Sequence, residues 1–255
     1  MTEHLISERR GDVLHLRLNR PERRNALNTA LLGDLAAALT AAAGDAGVRS
    51  ACLSGGGGHF AAGADIDEIA EKGSAEGAAD PRKDSWAAIR AFPKPLVAGV
   101  EGYCLGGGCE LMLMADLAVA GQGAEFGLPE TNLGLIPGAG GAQRLTALVG
   151  RARAMRMVLT GAMIDARTAA EWGMVAGLAE GDAVEEALAL AEKLARRAPL
   201  ALAAAKRAVI DASEGPLAEG LASERRAFEA LLDSADKAEG IAAFREKRKP
   251  VFEGR

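Results

Sequence analysis

The chain holds only three cysteines and three histidines among 255 residues, and that scarcity removes whole classes of chemistry. Cys52, Cys104 and Cys109 are odd in number and match neither a zinc spacing nor C-x-x-C, so they read as buried free thiols. His4, His15 and His59 are scattered, and no metal site is expected from them. His15 stands between Leu14 and Leu16 in an alternating stretch, which reads as a surface imidazole. No apolar run reaches the roughly 18 residues that a bilayer-spanning helix needs. The opening MTEHLISERRGD is charged and has no signal-peptide apolar segment, which sets a cytoplasmic expectation. Positive charge is outnumbered, 30 Lys and Arg against 35 Asp and Glu, and the net −5 argues against nucleic acid as a partner. G-x-x-x-x-G-K-[ST], H-E-x-x-H and G-x-S-x-G are all missing. Ser234 and Lys237 match S-x-x-K, a pattern short enough to arise by chance, here on an expected exposed helix.

What is present describes a protein with a sizeable core, 49% hydrophobic and 25% charged. DVLHLRLNRP alternates at Leu14, Leu16 and Leu18 and predicts a strand that stops at Asn19-Arg20-Pro21. A helix is expected from Asn25 to Ala43, a strand from Ser50 to Leu53, a polar mobile loop from Glu71 to Asp84, and a helix through Trp86 to Ala91. A strand after Pro95, a helix carrying Glu110 and a strand from Asp116 follow. Strands alternating with helices predict an α/β fold with crossover units. From about Ala139 onward helices dominate, punctuated by Pro199 and Gly215-Pro216. A boundary near Ala198-Pro199 divides a core domain, 1–198, from a C-terminal helical region, 199–255. That region is too small to close its own core, so it is expected to pack on the main domain or on a partner subunit.

GYCLGGGCELMLMAD, Gly102 to Asp116, runs three glycines straight into a glutamate that four apolar residues follow. Glycines before a helix leave backbone N–H groups uncovered, and the first turn has unpaired donors and partial positive charge. Such a place can hold a developing oxyanion. A second donor could come from HFAAGADI, His59 to Ile66. Glu110 should be partly desolvated by Leu111, Met112, Leu113 and Met114. Glu130 is the second unusual acid, set among apolar residues, Gly and Pro in FGLPETNLGLIPGAGG. Two poised carboxylates beside an oxyanion site suit water addition or proton relocation next to a carbonyl.

NRPERRNALN, HFAAGADI, GYCLGGGCELMLMAD, FGLPETNLGLIPGAGGAQRL and FREKRKPVF together resemble the crotonase superfamily, with enoyl-CoA hydratase the nearest resemblance, over about Gly11 to Phe252. The resemblance implies a spiral of ββα units with a C-terminal helical region that mediates trimer contacts, two trimers often stacking into a hexamer. It implies an acyl-CoA thioester substrate and a hydratase (lyase) activity, with no cofactor beyond the coenzyme A that belongs to the substrate. By motif position the thioester oxygen falls to the N–H groups of Ala64 and Gly107, the acid–base pair to Glu110 and Glu130, and a water-holding backbone position to Gly138. Arg24 and Ala62 match positions that meet the coenzyme, and Phe228 and Lys247 match C-terminal ones that reach it across a subunit boundary. Glu101 stands where hydratases carry Asn or Asp and reads as a surface acid. The alternatives are a crotonase-fold isomerase that moves a double bond, and a non-catalytic crotonase-fold binding subunit, for example for RNA.

Overall fold

The computed structural model describes residues 4–255; residues 1–3, which begin the charged opening stretch, lie outside the described residues. Strands β1 (Leu5–Arg10) and β2 (Val13–Leu18) form an antiparallel hairpin that pairs Leu5 with Leu18 and Arg10 with Val13. Gly11 closes its turn at φ 61°, a conformation that glycine adopts without a Cβ penalty. The alternation in sequence marks β2 but not β1. As the sheet's outer edge, β1 points Ser7, Glu8, Arg9 and Arg10 into solvent, so it carries no apolar pattern.

The chain then builds α1 (Thr29–Gly44), whose first turn is capped by Asn28 Oδ1 accepting from Leu31 N, and β3 (Ser50–Gly55). Three short helices follow, α2 (Ile66–Ala70), α3 (Ser74–Ala78) and α4 (Arg82–Arg90). Next come β4 (Leu96–Val100), β5 (Tyr103–Leu105), α5 (Gly107–Met112), β6 (Leu117–Ala120) and β7 (Glu125–Gly127). The second half supplies α6 (Gly141–Val149), α7 (Arg151–Thr160), β8 (Ile164–Asp165), α8 (Ala166–Glu171), β9 (Gly177–Leu178) and α9 (Ala183–Ala195). The expected α/β crossover architecture is present. Strands order as β1-β2-β3-β4-β6-β9, all parallel after the first hairpin, and β5-β7-β8 form a second, three-stranded sheet. Sequence periodicity misses β5, β7, β8 and β9 because two or three residues are too few to show a period.

The main core lies where Leu31, Leu35 and Leu39 of α1 and Ile89 of α4 meet Leu16, Leu53 and Ala98 of the sheet. On the opposite face Ala183, Ala187, Leu188 and Ala191 of α9 cover Val13, Cys52 and Val97. That second layer corrects the reading of His15. It shares the face of Val13, so it is buried rather than solvent-facing, and its Nε2 lies 2.8 Å from Ser54 Oγ. All three cysteines are buried free thiols, and burial pushes the Cys52 thiol up to about 12. Glu101 is also more than a surface acid: its Oε1 accepts from Ala183 N at 3.0 Å, a negative charge held at the N-terminus of α9. The Glu71–Asp84 segment, expected to be a mobile loop, contains α3 and the start of α4. Asp80 ties it down, accepting from Lys72 Nζ at 2.9 Å and from Arg82 Nε at 3.0 Å.

Helices α10 (Pro199–Glu214), α11 (Leu217–Leu231) and α12 (Ala235–Glu246) complete the chain. Neither α10 nor α11 has a buried residue, and α12 has two, Asp236 and Ala243. The S-x-x-K match is a helix cap: Ser234 Oγ accepts from Lys237 N at the start of α12. No helix among the described residues is long and apolar enough to cross a membrane.

Candidate active site

The segment between β3 and α2 is laid against two neighbours by single bridges, Ala61 opposite Cys104 of β5 and Leu27 opposite Ala64. In the second bridge Leu27 N donates to Gly63 O, and Asp65 N donates to Leu27 O. A parallel bridge of that register turns the middle residue's own N–H to the other side. Ala64 therefore faces α5, and a Cβ placed on Gly107 would stand 3.3 Å from Ala64 N. Gly107 opens α5, where a backbone N–H has no acceptor inside the helix. Among the described residues neither the Ala64 nor the Gly107 N–H donates to a protein acceptor. Gly106 turns the chain at φ 50°, ψ −127°, a conformation confined to glycine. Gly108 lets the segments close, since a Cβ there would come 2.3 Å from Ala61 O.

Glu110 follows one turn into α5 and is 4% exposed. Its Oε1 accepts from Ala139 N at 2.7 Å and from Gly141 N at 2.8 Å. Burial pushes its pKa above the usual carboxylate range; the backbone N–H groups of Gly141, Ala139 and Gly138 and the Arg144 charge pull it back. Gly141 has to be small, because a Cβ there would stand 2.8 Å from Glu110 Cγ. Glu130 begins a short helical turn, Glu130–Leu133, and reaches back to the glycine turn, its Oε1 3.2 Å from where a Gly106 Cβ would sit. Its Oε2 is buried with no hydrogen-bond partner among the described residues. Burial, and then the neighbouring Glu110 charge, raise the Glu130 pKa to about 7. A buried carboxyl oxygen without a hydrogen-bond donor costs stability, so Glu130 is a candidate for a functional role.

Such a carboxylate costs stability in a pH-dependent way. Its folded pKa lies above the ordinary 4.5, so the folded state favours the neutral form. The contribution is complete below pH 4.5 and is lost as pH rises through about 7. Glu130→Gln, permanently neutral, should therefore raise stability by about 1–2 kcal/mol at pH 8 and little at pH 5, solvent at the half-buried side chain screening part of the effect. Thermal melts of both proteins at the two pH values check this; an equal gain at both would contradict it.

The structure thus brings Ala64, Gly107, Glu110, Glu130 and Gly138 to one place. Arg24 and Ala62 are joined to its edge: Ala62 N donates to Arg24 O at 2.9 Å, and the Arg24 guanidinium lies 5.4 Å from the Tyr103 ring centre. Phe228 and Lys247 are exposed on the C-terminal helices. No hydrogen bond, ion pair or ring contact ties them to this place within the chain among the described residues. Sequence reading missed two residues that hold the frame. Asn25, fully buried at φ 57°, donates from Nδ2 to Gly56 O and His59 O and accepts from Arg20 N. Asp65 pairs with Arg20 at 2.9 Å and caps α2, fixing the residue after Ala64. An asparagine directly after Arg-Arg was the available signal, since Asn tolerates the left-handed region.

Residues 8–255 match the family model described as enoyl-CoA hydratase/isomerase. The chain is 50% identical to 2,3-dehydroadipyl-CoA hydratase of Escherichia coli K12, over 98% of this chain and 99% of that protein. It is 42% identical to the mitochondrial enoyl-CoA hydratase of Pongo abelii, over 98% of this chain and 88% of that protein. An enoyl-CoA hydratase subunit from Geobacillus kaustophilus, whose crystal structure is known, superposes with a TM-score of 0.95 at 42% identity, covering 99% of each chain.

Proposed function

The chain belongs to the enoyl-CoA hydratase/isomerase family, and we propose that it adds water across the 2,3 double bond of an enoyl-CoA thioester to give the 3-hydroxyacyl-CoA. The observation that carries this reading is the pairing of the buried Glu110 with the half-buried Glu130, whose Oε2 is buried without a partner among the described residues, beside two N–H groups that have no protein acceptor. The thioester oxygen accepts from Ala64 N and Gly107 N, which stabilises the enolate charge that develops as oxygen attacks Cβ. Glu110 takes the proton from the attacking water, since two backbone donors on Oε1 favour its ionised form. Glu130, with a pKa near 7 and no donor on Oε2, holds the proton that Cα receives. The O–H bond of water breaks toward Glu110 and the C–O bond forms at Cβ as the C=C π pair moves into the enolate. The C–H bond then forms at Cα as the Glu130 O–H breaks, and the site resets when Glu110 gives up its proton and Glu130 regains one through solvent. Gly138, beside Glu110, helps hold the water. An isomerase that shuttles one proton needs one acid–base group, and two poised carboxyls support the hydratase. Loss of the conjugated thioester absorbance on mixing with a 2-enoyl-CoA tests the reading. The Escherichia coli relative is named for 2,3-dehydroadipyl-CoA, so that thioester is the first to try.

Coenzyme A is bound, in this reading, by Arg24 and the Ala62 backbone, and by Phe228 and Lys247 of a neighbouring subunit. Support comes from the exposed apolar side chains of the C-terminal helices, Val209, Leu217, Phe228 and Phe244, which a lone chain would leave in water. A homotrimer, or a hexamer of two trimers, covers them with closed symmetry. Light scattering at micromolar concentration should give a trimer or hexamer mass; a fully active monomer would contradict the shared site.

A further inference from the structure

We propose that the cavity beyond Glu110 receives the far end of the acyl chain, and that Arg90 and Arg144 there hold a terminal carboxylate. The proposal rests on the hydratase reading and names the substrate class of that same site. The cavity has a volume of about 430 Å³ and lies between α4, the Gly138–Gly140 segment, α6 and the end of α10. One wall is Gly138 and Ala139, the segment whose Ala139 N donates to Glu110 Oε1. Met114, four residues on from Glu110, is on the same wall. A chain whose Cβ stands beside Glu110 therefore extends into this space after a few carbons.

The lining has two characters. Trp86, Ala87, Met114 and Ala147 offer apolar surface for methylenes. Lys83, Arg90 and Arg144 offer three cations against one carboxylate, Glu214. Arg144 is half-buried and donates from Nη1 to Ala139 O at 2.9 Å, which leaves the rest of its fork for a ligand. Among the described residues neither Arg90 nor Arg144 has a carboxylate within ion-pair distance. Burial lowers the Arg144 pKa; Glu214 opposes that, and the nearby Arg90 charge adds to it. A carboxylate entering the cavity would relieve the repulsion of the two guanidiniums and could accept from both. A chain ending in methyl would instead desolvate them without compensation. Apolar walls with a cationic end fit a short enoyl chain that terminates in a carboxylate.

The test compares a six-carbon 2-enoyl-CoA bearing a terminal carboxylate with neutral 2-hexenoyl-CoA. Wild type should favour the carboxylate in kcat/KM by about tenfold or more, as for a charge-assisted hydrogen bond, and the preference should shrink as salt is added. Arg90→Gln should bring the ratio close to one, slowing the carboxylate substrate and, by removing a charge that a methyl end desolvates, hydrating 2-hexenoyl-CoA at least as fast as wild type. Arg144→Gln also loosens the Ala139 carbonyl, so its readout is the same ratio rather than the absolute rate. A wild type that prefers 2-hexenoyl-CoA, or a ratio that neither variant alters, would overturn the proposal. Failure to hydrate either substrate or the four-carbon enoyl-CoA would overturn the hydratase reading and this proposal together.

Discussion

Glu110→Gln should lower kcat by about 10²–10⁴-fold, the usual contribution of a positioned acid–base group, while the protein remains folded. The amide oxygen of Gln can still accept from Ala139 N and Gly141 N, so the segment between Gly138 and Gly141 keeps its anchor. What is lost is the ability to take a proton from water. The site is closed to ready replacement by solvent, because Glu110 is nearly fully buried and backed by Leu111 and Met112. Steady-state kinetics beside a thermal melt separate the two effects. Near-normal kcat with a normal melt would contradict the two-carboxyl mechanism.

Glu130→Gln should cost kcat a similar factor, about 10²–10⁴-fold, and should change the pH profile as well. A carboxyl with a pKa near 7 is protonated below that pH and ionised above it. If Glu130 donates the proton to Cα as proposed, wild-type kcat/KM should fall as pH rises through about 7. Glu110 is also raised by burial and held back by backbone donors, and as the proposed base it should make the rate fall on the acid side as it gains a proton. In Glu130→Gln the alkaline limb should disappear from the residual rate. An alkaline limb that persists unchanged would move the donor role away from Glu130.

Much of this site could be read from the chain because glycine carries local geometry in its identity. The triplet before Glu110 announced a bare helix start, and the structure gives each glycine its reason: the Gly106 turn, the Gly107 N–H and the close approach of Gly108 to Ala61. Glu110 and Glu130 stood out because their sequence neighbours are apolar, and both are at least half-buried. Properties that depend on distant partners were not available locally. The register that turns the Ala64 N–H toward Gly107 comes from a bridge to Leu27, far away in sequence. His15 is buried because α9, well over a hundred residues later, covers that face of the sheet. The Glu71–Asp84 composition reads as loop because the Asp80 anchors to Lys72 and Arg82 have no periodic signature. Phe228 and Lys247 follow from motif position alone, because the surface that would bring them to a coenzyme belongs to another copy of the chain.

Hydration in water enriched in ¹⁸O tests the central claim most directly. With wild-type protein and a 2-enoyl-CoA, mass spectrometry of the product should find one heavy oxygen, on the β-hydroxyl. In deuterated water one deuterium should appear at Cα. Both labels should form far more slowly in Glu110→Gln. A product that keeps its double bond at a new position and carries no heavy oxygen would contradict the account.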